Sequence, residues 1–179
     1  MADPELRSAL IIAVPEASSA VDEWRERTSY AKPSSGVPAH VTILFPFVPP
    51  ASIDRALVTD LRALFGEIER FRFELGTTAR LPGVLYLEPA PAELFVCLTE
   101  KVSRAYPTYP PYEGAFDSII PHLTAAEGSV ETLDEAEAEI VTRLPIRARA
   151  TEVLLIEEIE PGSARWQARA RLALGSSTA

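Results

Sequence analysis

The sequence predicts a duplicated fold of strands and helices, in which the same order of elements occurs twice around a central groove. The chain has two histidines, and they lie in matching tetrapeptides, His40-Val41-Thr42-Ile43 and His122-Leu123-Thr124-Ala125. Signals for a helix, a strand and a second strand follow each tetrapeptide in the same order. Two copies of one unit pack most simply about a pseudo-twofold axis. We therefore expect His40 and His122 on neighbouring central strands, facing each other across the groove.

The first half of the chain supplies one copy and the elements that lead into it. An apolar run from Leu6 to Val14, ended by Pro15, predicts the first strand. Ser19, with Asp22 three residues later, marks the start of a helix. The elements that follow are a motif strand from Val41 to Phe45, a helix from about Ser52 to Gly66, a strand from Phe71 to Leu75 and, after a Pro82-Gly83 turn, a return strand from Val84 to Leu87.

The second half repeats this order after one further helix. That helix is predicted from Ala92 to Ala105, and a loop rich in Pro and Tyr leads from it to the second motif strand. Thr132 and Glu135 have the spacing of a capping box for a helix that ends near Leu144. The apolar face predicted for the first of these helices is Leu94, Leu98, Val102 and Ala105. The last strands run from Val153 to Ile159 and from Trp166 to Leu174.

Arginines alternate with apolar residues along the last predicted strand. Alternation of this kind indicates a strand with one buried and one solvated face. We expect the polar face to be solvated, and the alternative is that one arginine contacts a bound phosphate. The residues of this face are Arg165, Gln167, Arg169 and Arg171.

Length and charge limit the classes of partner. At 179 residues the chain suits a single domain of two lobes over residues 1–179. The net charge of -9 argues against binding to long double-stranded nucleic acid, which needs clustered Lys and Arg. A small nucleotide or a short RNA end remains compatible with this charge, because a local cluster can bind it. We expect a monomer.

Cysteine usage and hydropathy limit the chemistry and the location. Cys97 lies in the apolar run from Leu94 to Leu98, so we expect it in the core and not as a nucleophile. No set of Cys and His could hold zinc, and we predict neither a metal nor a cofactor. The sequence has no apolar run of membrane-spanning length and no signal-peptide pattern at its N-terminus, so we expect a cytoplasmic protein without a membrane partner.

Each histidine motif places an imidazole beside a hydroxyl. Residues i and i+2 of a strand share a face, so His40 lies beside Thr42, and His122 lies beside Thr124. Such a pair can hydrogen-bond an anionic group, for which phosphate is the natural candidate. Two histidines in matched settings also suit proton transfer on two sides of a substrate, because one can accept a proton while the other donates one. The alternative is a pair of core histidines next to ordinary strand threonines.

Aromatic side chains near the motifs are candidates for stacking on a nucleobase, which tolerates any base sequence. Our preferred pair is Tyr112 and Phe116, which precede the second motif. Plain packing is the alternative role for each. Strict alternation along the strand predicts that the side chain of Phe45 points into the core. Other aromatic candidates in or near loops that lead to a motif strand are Trp24, Tyr30 and Tyr109.

The two motifs resemble the paired signature of the 2H phosphoesterase superfamily, which includes 2'-5' RNA ligase-like proteins and RNA cyclic phosphodiesterases. The stretches 37–47 and 116–124 resemble the bacterial 2'-5' RNA ligase family, and the resemblance spans nearly the whole chain. It implies an α+β fold of two lobes, each an antiparallel sheet backed by helices, with a catalytic groove between them. It also implies metal-independent chemistry on 2',3'-cyclic phosphates or 2'-5' phosphodiesters.

One position departs from this pattern. Many 2'-5' RNA ligases have Arg five residues after the second motif histidine, and this chain has Glu127 there. A carboxylate repels a phosphate. The departure disfavours ligation and long RNA substrates.

The residues and the resemblance together predict a hydrolase for 2',3'-cyclic phosphates of nucleotides or short RNA ends. One of His40 and His122 would activate water as the base, and the other would protonate the leaving ribose oxygen. Thr42 and Thr124 would bind the non-bridging oxygens, and Tyr112 and Phe116 would bind the substrate. The sequence does not assign the base and the acid. The alternatives are a 2'-5' RNA ligase or phosphodiesterase, and a nucleotide-binding module of low activity.

Overall fold

The computed structural model describes residues 6–114, 118–161 and 164–176. Within these residues the chain forms eight strands and four α-helices. In chain order they are β1 (Ser8–Ala13), α1 (Ser18–Thr28), β2 (His40–Leu44), α2 (Arg55–Gly66), β3 (Phe71–Leu81), β4 (Val84–Ala90), α3 (Glu93–Ala105), β5 (Leu123–Glu127), α4 (Val130–Ile140), β6 (Ile146–Ala150), β7 (Glu152–Glu158) and β8 (Trp166–Ala173). A doubled order of motif strand, helix and two strands is present, as β2-α2-β3-β4 and β5-α4-β6-β7. In the second copy the two predicted strands correspond to β7 and β8, and β6, which precedes them, was not predicted.

The strands form two four-stranded sheets of matching arrangement. Their orders are β2-β1-β7-β8 and β5-β4-β3-β6, with antiparallel neighbours throughout. Each sheet combines strands from both copies, because β7 joins the first sheet while β3 and β4 join the second. The predicted α+β fold, with two antiparallel sheets and helices in a duplicated arrangement, is confirmed.

The motif strands lie at sheet edges, so the prediction that they are central strands is wrong. β2 and β5 are each the first strand of their sheet, and they contact one another. Each edge is also covered by a helix, since α1 packs against β5 and α3 packs against β2. An edge strand covered in this way is protected from pairing with other chains, and the two motifs still meet.

Two helices begin at caps that differ from the predicted ones. The side chain of Asp54 accepts a hydrogen bond from the backbone N–H of Leu57 at 2.8 Å, so α2 begins at Arg55 and not near Ser52. The Ser129 hydroxyl accepts one from the N–H of Thr132 at 3.3 Å, so α4 begins at Val130. The predicted capping box at Thr132 is therefore wrong, because a better-placed cap precedes it.

Helix α3 buries Leu98 and Val102 of the predicted face but exposes Leu94 and Ala105. Phe95, Leu98 and Val102 are buried, which is the spacing of one helical face, whereas Leu94 and Cys97 are exposed. The prediction that Cys97 lies in the core is thus wrong. The reason is the anchor at Phe95, whose ring meets those of two strand phenylalanines edge-on at 5.3 and 5.0 Å between centroids. That contact sets the rotation of the helix.

One apolar core joins the two sheets. It includes Leu10 and Val41 of the first sheet together with Leu75 and Leu123 of the second, all fully buried. Close packing of this kind fixes the position of one motif strand relative to the other. None of the helices in the described ranges is long and apolar enough to span a membrane.

Candidate active site

The two motif strands present their histidine and threonine on the open face. His40 and Thr42 are partly exposed, and so are His122 and Thr124. The residues that alternate with them are buried. The expected pairing of imidazole and hydroxyl is therefore present in both motifs. The buried residues are Val41, Ile43, Leu123 and Ala125.

Both motif strands contain a β-bulge at the third residue after the histidine. Ile43 is an extra residue relative to β1, and Ala125 is an extra residue relative to β4. A bulge places two residues opposite one and shifts the alternation of the strand beyond it. The flanking Cα partners are Thr42 with Ile11, Leu44 with Leu10, Thr124 with Tyr86 and Ala126 with Leu85.

The bulges return the fifth residue after each histidine to the open face. In the first motif this residue is Phe45, which is partly exposed and lines a cleft with His40 and Thr42. The prediction that Phe45 lies in the core is wrong, because the shift in alternation is invisible in the sequence pattern. In the second motif the residue is Glu127, also partly exposed.

The two imidazole rings are held in the same way. The Nδ1 atom of His40 lies 2.7 Å from the carbonyl oxygen of Pro38, and that of His122 lies 2.8 Å from the carbonyl oxygen of Ile120. A carbonyl only accepts, so Nδ1 donates in both contacts and carries a proton. Nε2 is thus the atom of each ring that is left for a substrate. It accepts a proton when the ring is neutral and donates one when the ring is charged.

The surroundings of His40 favour its neutral form. Part of the His40 side chain reaches the surface, but the protein atoms packed around the ring exclude much of the water, and this desolvation lowers the pKa of His40 to about 4. The hydrogen bond to Pro38 only partly opposes this effect. The positive charges of Arg25 and His122 lower the pKa further.

Tyr112 lies against the first motif. Its backbone N–H donates to the carbonyl oxygen of Phe45 at 2.8 Å, and its hydroxyl forms a hydrogen bond with that of Thr42. Burial raises the pKa of Tyr112, and the bond to Thr42 partly offsets this effect. The structure thus brings the hydroxyl of Tyr112 to the site, and not an open face of its ring. Phe116 lies outside the described residues.

A mostly apolar cleft opens beside His40 and Thr42. Its cavity measures about 190 Å³. The rings of Phe45 and Trp166 lie in its wall, 6.3 Å apart between centroids. Arg7 covers the Phe45 ring at 5.4 Å and forms an ion pair with Glu158 at 2.5 Å. The remaining lining includes Ala9, Ile11, Tyr30, Ala31, Val37 and Ile156.

Of the four aromatic candidates among the described residues, Tyr30 and Tyr112 reach this region. Trp24 is buried, and its indole N–H donates to Glu139 at 3.1 Å. Tyr109 packs edge-on against Phe47 at 5.7 Å. Both therefore act in packing. Sequence reasoning missed Trp166 as a site residue, although its place on an alternating strand correctly indicated that it is buried.

Two arginines of the last strand are paired within their own sheet. Arg169 lies 3.8 Å from Glu157, and Arg171 lies 2.5 Å from Glu152. Both carboxylates belong to the neighbouring strand β7. These contacts agree with the expected solvated face and leave neither arginine as a dedicated phosphate ligand. Within the described ranges, no three side chains of His, Cys, Asp or Glu come together in a way that could hold a metal ion.

Comparison with known structures shows that the fold is shared over the whole length of other chains. E. coli LigT complexed with 3'-AMP is 19% identical, with a TM-score of 0.59, and the match covers 96% of this chain and 99% of that one. TT0787 of Thermus thermophilus is 20% identical, with a TM-score of 0.61 and the same coverage. E. coli LigT complexed with NADP+ is 21% identical, with a TM-score of 0.53, covering 98% of this chain and 100% of that one.

The sequence itself gives the family. No curated protein matches the chain. The profile of the 2'-5' RNA ligase superfamily matches residues 13–161. This segment contains both histidine motifs, all four helices of the described ranges and the six strands from β2 to β7. The chain therefore belongs to the 2'-5' RNA ligase superfamily, a LigT-like group of 2H phosphoesterases.

Proposed function

We propose that this protein hydrolyses the 2',3'-cyclic phosphate of a nucleotide or of a short RNA end, without a metal ion. One observation carries the proposal. Two histidines, each fixed through Nδ1 to a backbone carbonyl, have Nε2 free on the open faces of two strands that meet. This arrangement offers one acid and one base to a single phosphate.

In the proposed reaction His40 is the base, because burial keeps it neutral at pH 7. Its Nε2 takes a proton from a water molecule whose oxygen attacks phosphorus. The bond between phosphorus and one ribose oxygen then breaks. Protonated His122 donates the proton from its Nε2 to that oxygen, and the product is a nucleoside monophosphate with a free hydroxyl. The same base and acid would join a cyclic phosphate to an RNA hydroxyl if that hydroxyl took the place of the water molecule, again with release of one ribose oxygen as a hydroxyl.

Thr42 and Thr124 would bind the non-bridging phosphate oxygens. Each hydroxyl lies on the same strand face as its histidine, so both donors point at the space where negative charge grows in the transition state. The hydrogen bond between the hydroxyls of Thr42 and Tyr112 restricts the rotation of the Thr42 hydroxyl. Tyr112 would thus act at the phosphate end of the substrate.

The apolar cleft would take the nucleobase. A typical pocket for a whole ligand of drug size measures roughly 300–1,000 Å³. The cavity here, about 190 Å³, is smaller and suits one part of a nucleotide. Phe45, Tyr30 and Trp166 would contact the flat ring, with the phosphate next to His40 and Thr42. LigT has been crystallised with 3'-AMP, NADP+ and ATP, which supports a nucleotide as the ligand here. The stacking role predicted for Phe116 remains a prediction.

Glu127 favours a small substrate. Its carboxylate lies on the His122 side of the site, and the chain carries a net charge of -9. Each further phosphate on a longer RNA would be repelled. We therefore place 2'-5' ligation and 2'-5' bond cleavage second, and a nucleotide-binding module without turnover third.

The deciding experiment is incubation of the purified protein with 2',3'-cyclic AMP and an excess of chelator. Hydrolysis to a single monophosphate, absent in the His40→Ala and His122→Ala variants, is the expected result. A parallel reaction with an RNA end bearing a cyclic phosphate and a second RNA with a 5'-hydroxyl tests ligation. Binding of the nucleotide without conversion in either reaction would favour the binding module. Activity that disappears with chelator and returns with a divalent ion would contradict the proposed chemistry.

A further inference from the structure

Arg25 is a buried cation next to the loop that leads to the first motif. Its side chain is 2% exposed, although arginine is rarely buried without partners. Its Nη1 donates to the carboxylate of Asp22 at 2.8 Å, three residues earlier on α1. Its Nη2 donates to the backbone carbonyls of Ala31, Val37 and Pro38, at 2.8, 3.0 and 3.1 Å.

The carbonyl of Pro38 links Arg25 to His40. This oxygen accepts from Arg25 Nη2 and also from the Nδ1 atom of His40, at 2.7 Å. A carbonyl oxygen has two lone pairs and can accept both bonds. The other end of the same short segment is tied to β1, because the N–H of Val14 donates to the carbonyl of Ala39 at 2.7 Å. The oxygen that orients the His40 ring is thus itself held in place.

We propose that Arg25 is a positioning residue for His40, acting through the Pro38 carbonyl that both side chains bind. The inference rests on the proposed function, in which His40 Nε2 must meet a water molecule beside the phosphate. Arginine suits this task because its planar group presents several donors in a fixed geometry. A lysine would offer the same charge from a single nitrogen atom.

Arg25 also contributes to the electrostatics around His40. Its positive charge is one cause of the lowered pKa of His40, together with burial and the charge of His122. This arrangement favours the neutral form of His40, the proposed base, at pH 7. The other charged and titratable groups near the first motif are Arg7 and Tyr30 in the cleft and Tyr112 at Thr42, while Asp22, Glu26 and Glu127 act on Arg25.

A purely structural role is the competing explanation. Three bonds to the 31–38 loop would also hold that loop against α1 without any effect on catalysis. The two roles differ in what they predict for the His40 ring. If Arg25 positions His40, its replacement changes the tautomer or the titration of that ring in a folded protein. If it serves folding alone, the folded fraction keeps a normal His40.

The test compares Arg25→Lys and Arg25→Met with the control Arg27→Met. Arg27 lies on the same helix, but its side chain is exposed and contacts Glu23 and the Trp24 ring. We expect kcat for 2',3'-cyclic AMP to fall about 10- to 100-fold in both Arg25 variants, with KM changed by less than about threefold, as for a misplaced catalytic group. The control should keep the activity of the natural protein. Thermal unfolding of each variant measures the folded fraction.

Nuclear magnetic resonance of the imidazole nitrogens gives a readout that needs no turnover. The chain has two histidines, so a His122→Ala sample assigns both sets of signals. In the natural protein neutral His40 should carry its proton on Nδ1. In Arg25→Met the His40 pKa should rise because a nearby positive charge is lost. In Arg25→Lys the pKa should stay low while the preference for Nδ1 weakens.

The outcomes separate the inference from the proposed function. Normal kcat and an unchanged His40 ring in folded Arg25→Lys would overturn the positioning role. If Arg25→Met does not fold, Arg25→Lys decides alone. If the natural protein does not hydrolyse the cyclic nucleotide, the proposed function fails, and the resonance measurements still decide whether Arg25 sets the His40 ring.

Discussion

Phe45 and Glu127 occupy equivalent positions in the two halves of the fold. Each follows its motif histidine by five residues, and each returns to the open face because a bulge precedes it. The two sides of the site therefore have the same backbone and opposite chemistry. One side offers an aromatic ring next to His40, and the other offers a carboxylate on the His122 side.

Replacement of either histidine should abolish most of the activity. We expect His40→Ala and His122→Ala each to lower kcat for 2',3'-cyclic AMP by about 100-fold or more, the usual scale for the loss of a proton-transfer group. Thr42→Ala and Thr124→Ala should cost less, because each removes one of several hydrogen bonds. Circular dichroism should show a folded protein in all four variants. Undiminished turnover in either histidine variant would remove that residue from the mechanism.

The pH dependence of kcat/KM should be bell-shaped, with its acidic limb below the ordinary histidine range. The base must be neutral, so activity rises with pH as His40 loses its proton, and burial lowers the pKa of His40 to about 4. An unperturbed imidazole would place this limb near pH ~6.5. Activity falls again at higher pH when the acid loses its proton. A rate that rises steadily with pH, as for hydroxide attack, would mean that the histidines only bind the phosphate.

Removal of the Phe45 ring should weaken binding of the base. Stacking on an aromatic side chain contributes about 1–3 kcal/mol per base, so Phe45→Ala should raise KM for 2',3'-cyclic AMP by roughly 10-fold or more. The effect on kcat should be smaller, because the phosphate contacts remain. The control is a cyclic phosphate of ribose that lacks a base. If Phe45→Ala impairs hydrolysis of that compound equally, the cleft does not hold the base.

Neutralising Glu127 should widen the range of substrates. In Glu127→Gln we expect kcat/KM for a dinucleotide with a terminal cyclic phosphate to rise about threefold relative to the cyclic mononucleotide, the scale of one partly screened charge contact. The preference should shrink as salt is added. Glu135→Gln, an exposed position on α4, is the control for net charge. An equal gain in both variants would assign the effect to overall charge and not to Glu127.

Gly36 should tolerate no side chain. Its φ of 89° is in the left-handed region, and a Cβ atom there would lie 2.2 Å from the carbonyl oxygen of Trp166. Gly36→Ala should therefore lower the free energy of unfolding by about 2 kcal/mol or more and disturb the cleft wall. Gly66→Ala is the matched control, since its φ is ordinary and no described heavy atom outside its chain neighbours and its own helix backbone lies within 4 Å of its Cβ position. Equal stability of the two variants in a denaturant titration would contradict this account.

The position of His beside Thr in each motif could be predicted from the sequence, because residues two apart on a strand share a face whatever surrounds them. The order of elements in the first copy could also be predicted, whereas strand β6 of the second copy was missed. The position of Phe45 could not be predicted, since a bulge depends on pairing with another strand. Arg25 was also missed. Its partners are backbone carbonyls of a loop, which leave no pattern in residue types. The cap at Asp54 was missed for a related reason, as the preceding prolines form their own turn and delay the helix.

The partner of β1 has a consequence for how the protein is made. Ser8 pairs with Glu157 and Leu10 with Leu155, so one edge of an almost wholly buried strand stays unpaired until residues near the far end of the chain are available. During synthesis from the N-terminus, this strand can pair with β2 early but keeps an open apolar edge until β7 emerges. Contacts so distant in sequence also slow folding. The nascent chain is therefore most prone to aggregation until β7 has been translated.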